Sequence, residues 1–130
     1  MLVHHVGYLV KNLAHALEEF KNLGYTQTSV TTYDPHRDID ICFLENNKHV
    51  VELVEPKSET SVVYKMLKKL GISPYHICYV TSCIEDTTRQ LIEEGYVMTA
   101  QPEIAPAIDN KRVAFFYHKH VGLIEILEEA

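Results

Sequence analysis

Two histidines and two glutamates stand at matching places in this 130-residue chain. His5 opens the run HVGYLV and His76 opens HICYV. Glu52 lies in VVELVEP and Glu125 in GLIEILEE. His5 and Glu52 are 47 residues apart, and His76 and Glu125 are 49 apart. Both glutamates interrupt aliphatic, strand-like runs, where a carboxylate is costly unless it is paired or bound to a cation. Two imidazoles and two carboxylates form a donor set for one divalent transition ion per chain (Zn, Ni, Co or Mn). One or two positions would remain open to water or substrate.

Adjacent histidines in VHHVGYLV cannot share one role on a strand, because successive side chains face opposite sides. His5, Gly7 and Leu9 share one face, while His4, Val6, Tyr8 and Val10 share the bulkier one, suited to packing a helix. His76 and Cys78 repeat the pattern of a histidine followed two residues later by a small side chain. His5, not His4, therefore matches His76. A strand histidine taken singly is more often a surface or core residue, but four residues at repeat positions favour a metal centre. His118 and His120, in YHKHVG, form a rival pair beside a turn and read as exposed. His15 and His49 read as solvated.

The elements that position these residues recur as well. HVGYLVKNLAHALEEFKNLGYTQTS and HICYVTSCIEDTTRQLIEEGYVMTA each run from a strand through an amphipathic helix to a Gly-Tyr stop. Asn12 is placed to cap the first helix, with Leu13, Leu17, Phe20 and Leu23 on its apolar face. Ser82 and Glu85 form a capping box for the second, whose stripe is Ile84, Thr88, Leu91 and Ile92. Gly24 and Gly95 supply left-handed stops. A further helix between the repeats carries Val62, Val63, Met66, Leu67 and Leu70, and Gly71 ends it. Strands are expected over roughly 25–32, 39–45, 48–54, 96–100, 111–117 and 122–127. The fold expected is α+β: residues 1–56 as one βαβββ module, 57–73 as a helical linker and 74–130 as a second module. The two modules together form a curved eight-stranded mixed sheet around a metal cleft. Neither module buries much core alone.

Composition narrows the function. The chain is 46% hydrophobic and 23% charged, with five Gly and five Pro, which is ordinary for a folded domain. A net charge of −6 without a basic stripe argues against nucleic acid. No apolar run approaches the roughly 20 residues of a membrane helix, and no basic region precedes the first apolar stretch as in a signal peptide. Cys42, Cys78 and Cys83 lack CxxC spacing and fit reduced thiols in cytoplasm.

With its paired βαβββ modules and His5, Glu52, His76 and Glu125, the chain resembles the vicinal oxygen chelate superfamily. That superfamily includes glyoxalase I, methylmalonyl-CoA epimerase, extradiol dioxygenases and bleomycin-resistance proteins. Within it, ICFLENNKHVVELVEPKSETSVVYKMLKKLG, PYHICYVTSCIED and KRVAFFYHKHVGLIEILE look like methylmalonyl-CoA epimerases. The resemblance implies a metal-dependent epimerase or isomerase acting through an enolate next to a carbonyl, on an acyl thioester of methylmalonyl-CoA type. It makes Glu125 a ligand that also moves protons, and it implies a homodimer. The acidic base such epimerases carry before the FLE strand has no direct counterpart in YDPHRDIDICFLE. Asp34, Asp38 or His36 stands near its place, with His36 or Asp34 for the opposite face of the substrate. A solvated loop in which Asp34 shapes an Asp-Pro turn is the other reading. Lys111 and Arg112 are candidates for carrier phosphates or plain surface charge, and Tyr33, Tyr64 and Tyr117 for an exposed partner surface. Glyoxalase I (lactoylglutathione lyase) shares the ligand set, but ELVEPKSET replaces its usual segment after the ligand glutamate. A non-catalytic binding or resistance protein of the same fold is a third reading, and retention of all four ligand residues counts against it.

Overall fold

The computed structural model describes residues 1–129. Among them are three α-helices and nine strands, an α+β chain. By contact the chain divides into one unit of His5–Tyr75 and another of Met1–His4 with the residues from His76 onward.

In the first unit, the part of β1 (Leu2–Leu9) from Val6 to Leu9 runs parallel to β5 (His49–Pro56), and β5 pairs antiparallel with β4 (Ile39–Asn46). The outer edge of β4 carries two short strands, β2 (Thr26–Gln27) and β3 (Thr32–Asp34). The sequence predicts one strand there, and eight in the chain instead of nine. Ser29 explains the break, since its hydroxyl takes the Phe43 amide at 2.9 Å, a bond the backbone ladder would otherwise make. The helix α1 (Leu13–Asn22) begins where Asn12 accepts the His15 amide at 2.9 Å, and Gly24 turns the chain away at φ +100°. Leu13 and Leu17 pack on Val10, Cys42, Leu44, Val51 and Leu53 of the sheet. Leu23 lies outside this stripe and is 71% exposed. The inter-repeat helix α2 is short (Tyr64–Leu70); it buries Leu67 and leaves Leu70 exposed, and Val63 at its start is buried while Val62 is exposed.

The second unit repeats the scheme. β6 (Ser73–Thr81) runs parallel to β9 (Gly122–Glu128), followed by β8 (Lys111–His118) and then β7 (Val97–Ala105), both antiparallel to their neighbours. The helix α3 (Ile84–Glu93) packs Ile84 and Leu91 against Ala114, Phe116, Ile124 and Ile126, the same faces used in the first unit. Its buried threonine is Thr87 and not Thr88, and Ile92 is 55% exposed, so the stripe is narrower than the sequence spacing predicts. The predicted Ser82–Glu85 capping box does not form: Cys83 is the N-cap and its side chain caps nothing.

A strand glutamate does the capping instead. Glu128 accepts the Ile84 amide at 3.0 Å, and Glu55 accepts the Leu13 amide at 2.7 Å. Each satisfies a donor that a helix start leaves open and places a negative charge at the positive end of the dipole. The motif E-x-x-E thus does two jobs on one strand. Its three-residue spacing sends Glu52 and Glu125 to one face and Glu55 and Glu128 to the helix side. Glu55→Ala and Glu128→Ala are each expected to lower the unfolding free energy by about 1–2 kcal/mol. Urea titration checks this, and unchanged midpoints for both would show that these caps are not made in solution.

Candidate metal centre

Each unit assembles a histidine, a glutamate and a phenylalanine by strand register. In the first, Gly7 of β1 stands opposite Glu52 of β5, and Glu52 stands opposite Phe43 of β4. His5 lies two residues before Gly7 and so shares its face. The absence of a side chain at Gly7 leaves Glu52 room to turn toward the imidazole. His5 Nε2 is 3.5 Å from Glu52 Oε1, and the His5 ring meets Phe43 edge-on at 5.2 Å.

In the second unit, Cys78 faces Glu125, which faces Phe115. His76 Nε2 is 3.1 Å from Glu125 Oε1, and its ring meets Phe115 edge-on at 5.3 Å. All four polar residues are buried, with His5 and Glu125 1% exposed, Glu52 2% and His76 4%. Burying carboxylates and imidazoles this deeply is costly unless each is answered by a partner or a cation. Phe43 and Phe115 are the participants that reading for titratable residues passes over. Their signal in the sequence was an aromatic at the same place in each repeat, on the strand before the buried glutamate.

The spacings suit metal ligation. Two donors each about 2.1 Å from a metal stand about 3.0 Å apart at a right angle and about 3.4 Å apart at the tetrahedral angle. Separations of 3.1 and 3.5 Å fall at those edges. Nitrogen and carboxylate donors suit zinc and its neighbours in the first transition row.

The loop residues stand elsewhere. Asp34 is fully buried and accepts the His36 and Arg37 amides at 2.9 and 3.3 Å, so it holds the turn between β3 and β4. His36 is exposed on that turn. β4 begins at Ile39, four residues from Phe43, which places the turn about 13 Å along the strand from the level of Glu52. Asp38 sits at φ +55° and ties this turn to the segment after β5. Its carboxylate accepts from the Ser58 hydroxyl and, at 2.7 Å, from Tyr33, while its carbonyl accepts the Lys57 amide at 2.9 Å. The Ser58 and Tyr33 hydrogen bonds hold the Asp38 carboxyl below its usual range, and the same contact raises Tyr33.

Lys111 and Arg112 are committed to carboxylates. Lys111 meets Glu129 at 2.7 Å, and Arg112 spans Glu85 and Glu128 at 2.9 Å each. His118 is half-buried against Tyr96, with ring centres 4.7 Å apart, while His120, His15 and His49 are exposed. Tyr33 and Tyr117 are about half exposed, and Tyr64 is half-buried. Among the described residues, no helix is long and apolar enough to cross a membrane.

A family model described as the glyoxalase/bleomycin resistance protein/dioxygenase superfamily matches residues 4–115. The uncharacterized protein YqjC of Bacillus subtilis (strain 168) is 23% identical over 127 residues, covering 95% of this chain and 89% of that protein. The crystal structure of a hypothetical protein from Bacillus halodurans aligns with a TM-score of 0.85 at 27% identity, covering 99% of this chain and 94% of that one. Methylmalonyl-CoA epimerase from Mycobacterium tuberculosis aligns with a TM-score of 0.85 at 25% identity, covering 98% and 87%. A Streptomyces coelicolor methylmalonyl-CoA epimerase in complex with 2-nitronate-propionyl-CoA reaches 0.84 at 20% identity, covering 98% and 94%, a likeness of fold alone.

The tie at Asp38 makes a pH prediction. A carboxyl whose folded pKa is depressed adds stability above its unfolded pKa and loses it as pH falls through the folded value. Asp38→Asn keeps the residue's tolerance of the left-handed backbone. The variant is expected to be less stable than the wild type at neutral pH, with the gap closing as pH falls below about 4. Denaturation across pH checks this, and a gap independent of pH would dismiss the charge at Asp38 as its cause.

Proposed function

The chain belongs to the glyoxalase/bleomycin resistance protein/dioxygenase superfamily, and on that premise we propose that His5, Glu52, His76 and Glu125 together hold one divalent transition ion and that the protein is a metal-dependent isomerase of an acyl thioester. The observation behind the reading is the pair of buried Nε2–Oε1 contacts, at 3.5 and 3.1 Å, one in each unit and each matched to ligand spacing. The likeness to the Mycobacterium tuberculosis methylmalonyl-CoA epimerase supports the substrate class.

A divalent ion held there supplies Lewis acidity toward a carbonyl oxygen. The remaining work falls to side chains. Glu125 takes the proton from the carbon beside the carbonyl. Glu52, its counterpart in the other unit, is the carboxylate put forward for proton return in place of His36 or Asp34. Phe43 and Phe115 meet the two imidazoles at near-perpendicular ring angles and pack beside the pairs. A general base must come within hydrogen-bond reach of the proton it moves. The distance along β4 speaks for Asp34 and His36 at the carrier end of the substrate, with Asp34 positioning His36, and against the opposite-face role.

Metal content by mass spectrometry tests the ligand set. The wild type is expected to carry about one ion per chain and His5→Ala and Glu125→Ala much less than that. A folded wild type that takes up no Zn, Ni, Co or Mn would leave a binding module of the same fold. The chemistry is tested by deuterium exchange at the α-carbon of methylmalonyl-CoA and related thioesters. Exchange is expected to need Glu125 and to survive His36→Ala. Turnover of the glutathione–methylglyoxal adduct with no thioester exchange would overturn the isomerase reading in favour of a lyase.

A further inference from the structure

A groove of about 580 Å³ opens in the first unit, beyond the ends of β1 and β5. Lys11, Lys57 and Lys68 line it together with Pro56, Glu59 and Tyr64. Three of the nine lysines of a chain of net charge −6 thus meet at one groove. The three cations are not equivalent. Lys57 is occupied by Asp40 at 2.9 Å and Glu55 at 3.4 Å. Lys68 lies over the Tyr64 ring at 5.6 Å, an arrangement that holds the ammonium in place and leaves its charge uncancelled. Among the described residues, neither Lys11 nor Lys68 has a carboxylate partner.

One wall of the groove is braced. The segment Lys57–Glu59 is tied to the β3–β4 turn through the Lys57 amide and the Ser58 hydroxyl, both on Asp38, and Ser61 donates to the Arg37 carbonyl at 2.8 Å. Position along the sheet matters as much as charge. Gly7 and Glu52 are opposite each other on parallel strands, and Lys11 and Pro56 lie four residues further along each chain. The groove therefore begins about 13 Å from the level of the His5–Glu52 pair. That separation puts the reacting acyl group and a charged tail at opposite ends of an extended arm.

We propose that this groove binds the phosphorylated nucleotide end of a coenzyme A thioester, with Lys11 and Lys68 meeting phosphate oxygens and Tyr64 giving an apolar wall. The inference rests on the acyl-thioester reading and adds the carrier to it. A free phosphorylated nucleotide shares the ligand chemistry, so the experiment separates the two. Calorimetry would compare free coenzyme A, adenosine 3′,5′-bisphosphate and pantetheine as ligands of the full chain, without acyl group or added metal. Coenzyme A and the bisphosphate are expected to bind at least about ten-fold more tightly than pantetheine, and more weakly as salt rises. Lys11→Ala/Lys68→Ala is expected to lose about ten-fold for both nucleotides, while the charge-matched control Lys48→Ala/Lys119→Ala is not. Binding of the bisphosphate but no gain for coenzyme A over it would make the groove a nucleotide site and overturn the carrier assignment. Equal affinity for coenzyme A and pantetheine, or no effect of the double substitution, would overturn the groove altogether. Metal uptake by the same preparation stands apart from these results, so the loss of one reading is not mistaken for the loss of the other.

Discussion

A carboxylate in the middle of an aliphatic strand is the constraint around which each unit is arranged. Glu52 and Glu125 are withdrawn from water, and the energy lost must be returned by something that faces them. In each unit that something includes an imidazole on the neighbouring parallel strand, brought to the right height by pairing of the glutamate with a small residue. Gly7 and Cys78, the residues in register with the two glutamates, are both small. The phenylalanine in register on the glutamate's other side packs its ring against the imidazole. Burial, register and side-chain volume act together, and none of the three would hold the pair alone.

The same strands also anchor the helices. A second glutamate, three residues on, reaches the first turn of α1 or α3 and takes an amide that no local side chain takes. Helix and buried glutamate are thereby referred to one piece of backbone. The hydrophobic side follows suit: Val51 and Leu53, like Ile124 and Ile126, alternate with the acidic positions and carry the helix.

Much of this was legible in the chain. Alternation selected His5 over His4, and the repeat of His-x-small with a glutamate 47 or 49 residues later marked both halves. Gly24 and Gly95 marked helix ends because the left-handed backbone favours glycine. What escaped was set by distant partners. The cap of α3 comes from Glu128, 44 residues from the amide it accepts, so the local Ser82–Glu85 pattern pointed to a different bond. The break between β2 and β3 comes from one hydroxyl competing with a ladder amide. Phe43 and Phe115 carry no titratable group, and only their shared register with a glutamate gives them a place beside the histidines. In the turn at Asp34–Asp38 the Asp34 and Asp38 carboxylates hold the turn, while His36 is exposed.

The odd spacing within E-x-x-E has a consequence for how such a chain tolerates heritable change. Losing one residue between Glu52 and Glu55 would turn both carboxylates to the same face. One of the two jobs would fail at once, and an acid would enter the place of an aliphatic contact. Length variation is cheap in the exposed hairpins that precede these strands and severe within them. The final strand of each repeat thus works as a parity check on its own frame.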